Sequence, residues 1–529
     1  GRLDARRTLK SLVADLRLSV MLVCGMASCT DNFEEINKHP YQPSDEEMEG
    51  DNFKLGAFFP QMQVNVIPAQ ENDYQMCENL LGGGYGRYLT HPQPKWTTMF
   101  AFFNANESWI YYPYSVVFPR IYGAFKTIKD NTGGEGTSYA WAQILKVAAI
   151  HRMTDIYGPI PYSKVSGSSI AAEYDSQEEV YYGMIKELTD AIDVLTPYVL
   201  SNPEARPMAE FDMVYGGDYE KWVKFANSLK LRMAVRMSYA APADAKKYAE
   251  EAVNHVIGVM SDNNDNAFIS YSKNPIEVMW NAYGDTRVCA EIVAYMNGYE
   301  DPRRDKYFQE TTKLAENGFY GVRTGISLAL TSGSYLDCSA PKVSSSEPLM
   351  WMNAAECYFL RAEGAMRGWN MKMDAKTAYE TGIATSFAQY GLAGQEVAYM
   401  NDDTKVPATY VDPLNSSNSE AINSTITIKW NEEASEEEKL ERIITQKWIA
   451  MWPLGTEAWA EQRRTGYPAF LSVKVNNSGD ASLSEDLASR VPFPPSEALN
   501  NTVFYNDAVQ KLGGADNYAT KLWWDKKNN

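Results

Sequence analysis

Apolar residues recur along most of this chain at three- and four-residue intervals, the spacing of a helix with one buried face, so a mainly helical protein is predicted. Ser176-Gln177-Glu178-Glu179 has the form of a capping box, and behind it Met184, Ile185, Leu188, Ile192 and Leu195 share a face. A partner helix is predicted over about 219–239, where Phe225, Leu229, Met233 and Met237 line up. A second pair opens near Pro348. There Trp351, Ala354, Ala355, Tyr358, Phe359, Ala362, Ala365, Met366 and Trp369 hold the 3.6 period, and 373–390 follows after a tight turn. A third begins at another capping box, Ser435 to Glu438, with Leu440, Ile443, Ile444, Trp448 and Met451 as its stripe. Its short partner, 456–464, stops at Gly466 and Pro468, with Arg463 and Arg464 at the favourable C-terminal end. An earlier pair is predicted at 107–130 and 138–157.

Four helix pairs point to a scaffold stacked in the tetratricopeptide manner, although the repeat consensus is missing and the spacing is uneven. Long insertions at 263–283, 317–347 and 396–425 separate the pairs, and loops of that length usually carry function. A short strand is expected at 425–430.

The N-terminal pattern is different. Arg6, Arg7, Lys10 and Arg17 lead into ten apolar residues, Leu18 to Ala27, too few to span a bilayer. The run ends at Met26-Ala27-Ser28-Cys29, small residues before a cysteine, which resembles a bacterial lipobox. The expectation is a lipoprotein signal peptide over 1–28 and an acylated Cys29 that anchors the protein to a membrane. An acidic tether follows over 29–50, and one helical-repeat domain over 51–529. An ordinary secretory signal with a chance cysteine is the alternative.

Composition narrows the function. The chain has 529 residues, 45% apolar and 12% aromatic, enough for a sizeable core. Its formal net charge is -19, and -22 without residues 1–28, which argues against a nucleic-acid partner. Cys77, Cys289, Cys338 and Cys357 are too irregularly spaced for a disulfide framework or a zinc site. There is no P-loop, no G-x-S-x-G and no H-E-x-x-H, so no cofactor and no catalytic residue are assigned. The run Leu81 to Gly86 is glycine-rich and is read as a flexible loop. Asp262 to Asn266 hints at a calcium loop, but Ala267 and Lys273 stand where glycine and glutamate belong. His151 reads as a packed core group.

What stands out is aromatic residues in loops. Tyr85, Tyr88, Trp96, Phe100, Phe102 and Phe103 crowd one segment, Trp280 and Tyr283 lie in a second, and Tyr335 in a third. Flat rings flanked by amides and guanidinium groups suit the apolar faces and peripheral hydroxyls of sugars. Trp96 is the first candidate platform, stiffened by Pro92 and Pro94 and flanked by Arg87 and Asn104. Trp280, Tyr283 and Tyr335 would complete an aromatic arc. The competing reading is that these rings pack their loops onto the helices.

The stretches "CTDNFEEINKHP", "HRMTDIYGPIPYS", "DPRRDKYF", "LMWMNAAECYFLRAEGAMRGW", "TEAWAEQRRTGYPAF", "RVPFPPSEALNN" and "KLWWD" fall in one order along the chain. Together they resemble the SusD/RagB-type nutrient-binding lipoproteins of Bacteroidetes. The resemblance implies a non-enzymatic protein of the outer membrane, facing the cell exterior. It implies a helical side with four tetratricopeptide-like pairs, a loop side that takes oligosaccharide or sometimes peptide, and a SusC-like TonB-dependent transporter as partner. Asp31, Glu34 and Glu35 resemble the surface-export signal of that phylum. A surface-anchored glycoside hydrolase is the remaining alternative.

Overall fold

The computed structural model describes residues 53–528, apart from 168, 170 and 484–486. The predicted signal segment, Cys29 and the tether lie outside the described residues. Counting α-helices of nine residues or more, α1 is Glu107–Thr132, α2 Gly136–Tyr157, α3 Gln177–Ser201, α4 Tyr219–Arg236 and α5 Pro242–Asn254. After them come α6 Ala290–Gly298, α7 Ala354–Met366, α8 Ala375–Gln389, α9 Glu436–Ala450, α10 Gly455–Thr465 and α11 Thr502–Leu512. The mainly helical expectation holds.

Helix ends follow the local chemistry. Asn106 accepts a hydrogen bond from the Trp109 amide to start α1, and Gly133, left-handed at φ 65°, ends it. The Ser176–Glu179 capping box forms in both directions. Ser435 caps α9 by accepting from the Glu438 amide at 3.1 Å. Helices α1 to α5 pack each on the next, and α7 packs on α8, α9 and α4. Helix α5 was not foreseen. It buries Ala245, Ala249 and Ala252, a stripe whose small side chains give the sequence pattern little contrast.

Three expectations change. The stripe from Pro348 is not one helix: Leu349–Met352 is a strand that pairs antiparallel with Ala267–Ile269, and α7 starts only at Ala354 behind an Asn353 cap. Trp351 therefore belongs to a strand, with its ring against Trp222 and Phe225 of α4. The 425–430 segment is not a strand. Its carbonyls are taken by tyrosine hydroxyls, Tyr299 on Ile426 at 2.9 Å and Tyr379 on Ile428. The glycine-rich run is no flexible loop either. Gln75–Gly83 is a buried π-helix, and α10 lies against it more extensively than against α9, its predicted partner. A Cβ on Gly82 would stand 2.2 Å from Thr456 Oγ1, and one on Gly455 2.5 Å from the Gly82 carbonyl carbon. Two backbones meet here with no room for side chains.

The apolar core is continuous from Leu55 to Trp524, with a satellite cluster of Val322, Ile326, Leu328, Tyr335 and Cys338. All four described cysteines are buried and free. Charge is buried too. Arg464 of α10 holds Glu363 of α7 through two bonds of 2.6 and 2.8 Å and also reaches Glu461. Arg236 of α4 pairs with Glu457 and Glu461, Lys447 of α9 with Glu461, and Arg232 of α4 with Glu356 of α7. His151 sits beside this network, with Nδ1 2.9 Å from the Val147 carbonyl and Nε2 3.2 Å from an Arg232 nitrogen.

Candidate ligand-binding site

The first loop leaves the buried π-helix through Arg87, whose left-handed backbone (φ 63°) turns the chain. Leu89–Thr90 then pairs antiparallel with Arg287–Val288, opposing Leu89 to Val288 and Thr90 to Arg287. That short pairing joins segments nearly 200 positions apart, and both of the main aromatic loops hang from it. His91 to Trp96 follows one strand, and Trp280 to Asp285 precedes the other.

Between them the contacts are polar and specific. Gln93 donates to the Gly284 carbonyl at 2.8 Å, and Lys95 Nζ lies 3.3 Å from both Asp285 carboxylate oxygens. Gln75 of the π-helix donates to the same carboxylate at 2.7 Å. His91 Nδ1 is 3.3 Å from the Asp285 carbonyl, and burial, above all, pushes its pKa below the usual histidine range. Gly284 is left-handed (φ 63°), and a Cβ there would crowd Gln93 Nε2 at 3.1 Å and touch Leu336 at 3.5 Å. The third loop, which carries Tyr335 and Leu336, therefore reaches the same point. Arg287 bonds it by donating to the Leu336 carbonyl at 3.0 Å.

The candidates fare differently within this arrangement. Trp96 is half-buried, with His91 4.5 Å away, Trp109 edge-on at 5.1 Å and the Lys95 ammonium 4.8 Å above its ring. Tyr283 is 37% exposed, and its hydroxyl lies 3.2 Å from Asn72 Oδ1. Trp280 is half-buried and donates to the Val343 carbonyl at 2.9 Å. Asn104 is committed to its own loop, accepting from the Met99 amide and donating to the Thr97 carbonyl.

Two candidates are corrected. Arg87 is only 1% exposed and pairs with Glu291 at 2.7 Å, so it holds the loop from inside and cannot reach a ligand hydroxyl. Tyr335 is fully buried and donates to Asp412 at 2.7 Å within the satellite cluster. Its neighbour Leu336 comes up against Gly284 instead. Tyr85, Tyr88, Phe100, Phe102 and Phe103 are core residues, as the packing alternative held. The sequence reading passed over Gln93, Lys95, Gly284 and Asp285. The Gly-Asp step directly after "WNAY" was the available signal. The surface that results is a shallow meeting of three loops, with Pro94, Lys95, Thr97, Asn281 and Tyr283 exposed.

The acidic 262–266 segment offers little to a cation. Asp262 caps a 3₁₀ turn at Asn263–Asp265, and Asp265 accepts from the Ser261 and Asp262 amides while Lys224 stands 3.5 Å away. Among the described residues no helix is long and apolar enough to cross a membrane.

Comparison with known proteins places this geometry. The family described as SusD-like, the Susd and RagB outer membrane lipoproteins, matches residues 35–525. Among solved structures, a SusD homologue from Bacteroides uniformis is 44% identical over 89% of this chain and 99% of its own, with a TM-score of 0.84. A SusD homologue from Bacteroides thetaiotaomicron is 39% identical over 90% and 99%, also at 0.84. A chitin-binding SusD homologue from Flavobacterium johnsoniae is 38% identical over 89% and 99%, again at 0.84. None of the curated proteins matches the chain.

Proposed function

This chain belongs to the SusD-like family of outer membrane lipoproteins, and from that premise we propose that it captures oligosaccharide at the cell surface and hands it, uncleaved, to a SusC-like TonB-dependent transporter. The observation that carries the sugar is the 38% identical chitin-binding homologue. The meeting of three loops around Gly284 supports a site for it, with Trp96, Trp280 and Tyr283 as ring contacts and Lys95 and Asn281 as hydrogen-bonding partners. Aromatic faces beside polar groups hold a sugar without any group positioned to attack it. The anchor is acylated Cys29, with residues 29–50 as the tether and 51–529 as the binding body.

The test is titration of the purified protein with a panel of glycans, chitin oligosaccharides included, while reducing ends are counted. Binding without new reducing ends is expected. Release of reducing ends would make the chain a hydrolase, and no binding to any glycan would remove the sugar assignment. For the partner, mild-detergent purification from the native host is expected to bring down a larger barrel transporter, and Cys29→Ala is expected to leave the protein free of membranes. A lone monomer in every detergent, or a membrane-bound Cys29→Ala form, would overturn those two parts.

A further inference from the structure

A second concavity, separate from the loop surface, opens between the Ala267–Ile269/Leu349–Met352 strand pair and the connection from α9 to α10. Its volume is about 380 Å³, within the roughly 300–1,000 Å³ typical of small-molecule sites. One wall is aromatic. The half-buried Tyr390 ring meets Tyr307 edge-on at 4.9 Å, and Trp452 stacks on Tyr307 at 5.5 Å. Phe268 of the strand pair also lines it.

The polar groups here have capacity to spare. Gln389 Nε2 finds only the Met350 sulfur, 3.7 Å away, and sulfur is a weak acceptor. Lys306 and Lys342 both line the cleft. They are held together by the antiparallel bridge of Phe308 with Pro341 and by the Lys342 amide, which donates to the Tyr307 carbonyl at 2.8 Å. Neither ammonium makes an ion pair among the described residues. Both side chains are exposed, so two cations at one cleft are open to a ligand. Glu347 also lines it and leaves one net positive charge. Its carboxylate is an acceptor for sugar hydroxyls.

We propose that this cleft is a second sugar subsite, one that takes an anionic unit, a uronate or a sulfated sugar, with Lys306 and Lys342 on the anion and Tyr390 beside the ring. The inference rests on the reading of the chain as a glycan-binding protein. Val343 connects the two places: its carbonyl accepts from Trp280, and the residue itself lines the cleft. Trp280 and the lysine cleft thus adjoin through a single residue.

The experiment titrates three proteins with three probes: digalacturonate, N-acetylglucosamine 6-sulfate and neutral N,N′-diacetylchitobiose. The proteins are the wild type, Lys306→Ala/Lys342→Ala, and Trp96→Ala/Tyr283→Ala. Wild type is expected to bind at least one anionic probe, and the identity of that probe tells carboxylate from sulfate. The double lysine variant should weaken that binding by about tenfold, the loss of two exposed charge contacts, and leave chitobiose and the melting temperature unchanged. The aromatic variant should weaken the binding of chitobiose and leave that of the anionic probe in place. Anionic binding unchanged in the lysine variant, or no anionic binding by wild type up to about 10 mM, overturns the proposal. Failure of chitobiose alone, with lysine-dependent anionic binding intact, counts against the loop surface and supports the cleft.

Discussion

Trp96 has a cation over its ring and two aromatic neighbours, so removing it takes away packing as well as a stacking surface. Trp96→Ala is expected to weaken glycan binding several-fold, since a stacked ring contributes about 1 kcal/mol. It should also lower stability by about 1–2 kcal/mol, less than the loss of a fully buried tryptophan. Calorimetric titration and a thermal melt read the two separately, and unchanged affinity in a folded variant would move the site to Tyr283 and Trp280. Tyr335 calls for the opposite result. Tyr335→Phe removes one of the four donors to the buried Asp412 and leaves Asn418 and the Leu414 and Asn415 amides in place, so the melt should fall by the equivalent of about 1 kcal/mol with affinity untouched. Any loss of affinity beyond that of the melt would return Tyr335 to the site. The sequence showed which loops carry aromatics but not which way the rings face. That is decided by partners far away along the chain, Asp412 for Tyr335 and Glu291 for Arg87, and no local pattern announces them.

The same division between local and distant causes runs through the elements. Capping residues and wide apolar stripes made α1 to α4 and α7 to α10 legible, because each is dictated within a turn or two of its own sequence. The strand at Leu349–Met352 was not legible, since its hydrogen-bonding partner lies some eighty residues earlier. Nor was the choice of α10 to lie on the π-helix. What holds α10 to α7 is Arg464 between Glu363 and Glu461. Arg464→Met leaves Glu363 with Arg367 alone and Glu461 with Lys447 and Arg236, in a site closed to water, and a loss of about 3 kcal/mol in urea unfolding is expected. Adding Glu363→Gln should recover part of that loss. A double variant as unstable as the sum of the two singles would show that the pair is not coupled.

Across the whole molecule the buried charges set an acid limit. Burial raises the Glu363 carboxyl, but the Arg464 and Arg367 guanidinium groups outweigh it and bring the pKa down to about 2. Glu461 is likewise opposed by burial and ends well below the ordinary range through Arg464, Lys447 and Arg236. Both stabilise the fold fully above the unfolded carboxylate pKa of 4.5 and lose that contribution as pH falls through the folded value. His151, pushed from 6.5 to about 3 by burial and then by Arg232, stays neutral in the fold while the unfolded chain takes up a proton. Its contribution is complete above pH 6.5 and is lost on the way down to 3. Asp155 and Glu356, raised by burial, titrate with the opposite sign and blunt the slope. Urea midpoints should therefore fall steadily below pH 6.5. His151→Gln should flatten the part between 6.5 and 4.5, a change of no more than about 3 kcal/mol. An unaltered profile in that variant would assign the slope to the carboxylates alone.

The bare meeting of Gly82 with Gly455 has a consequence for heredity. Where two main chains touch, the smallest possible mutation at either position, the gain of one methyl group, meets backbone atoms that cannot swing aside. Neither partner can drift by a compensating change in the other, because no residue is smaller than the one already there. The loops around Gly284 work under a looser rule, since exposed side chains such as Pro94 and Thr97 have solvent on one side to take up a change of size. Inheritance therefore has room to rewrite the loops and almost none to alter the contact between the π-helix and α10.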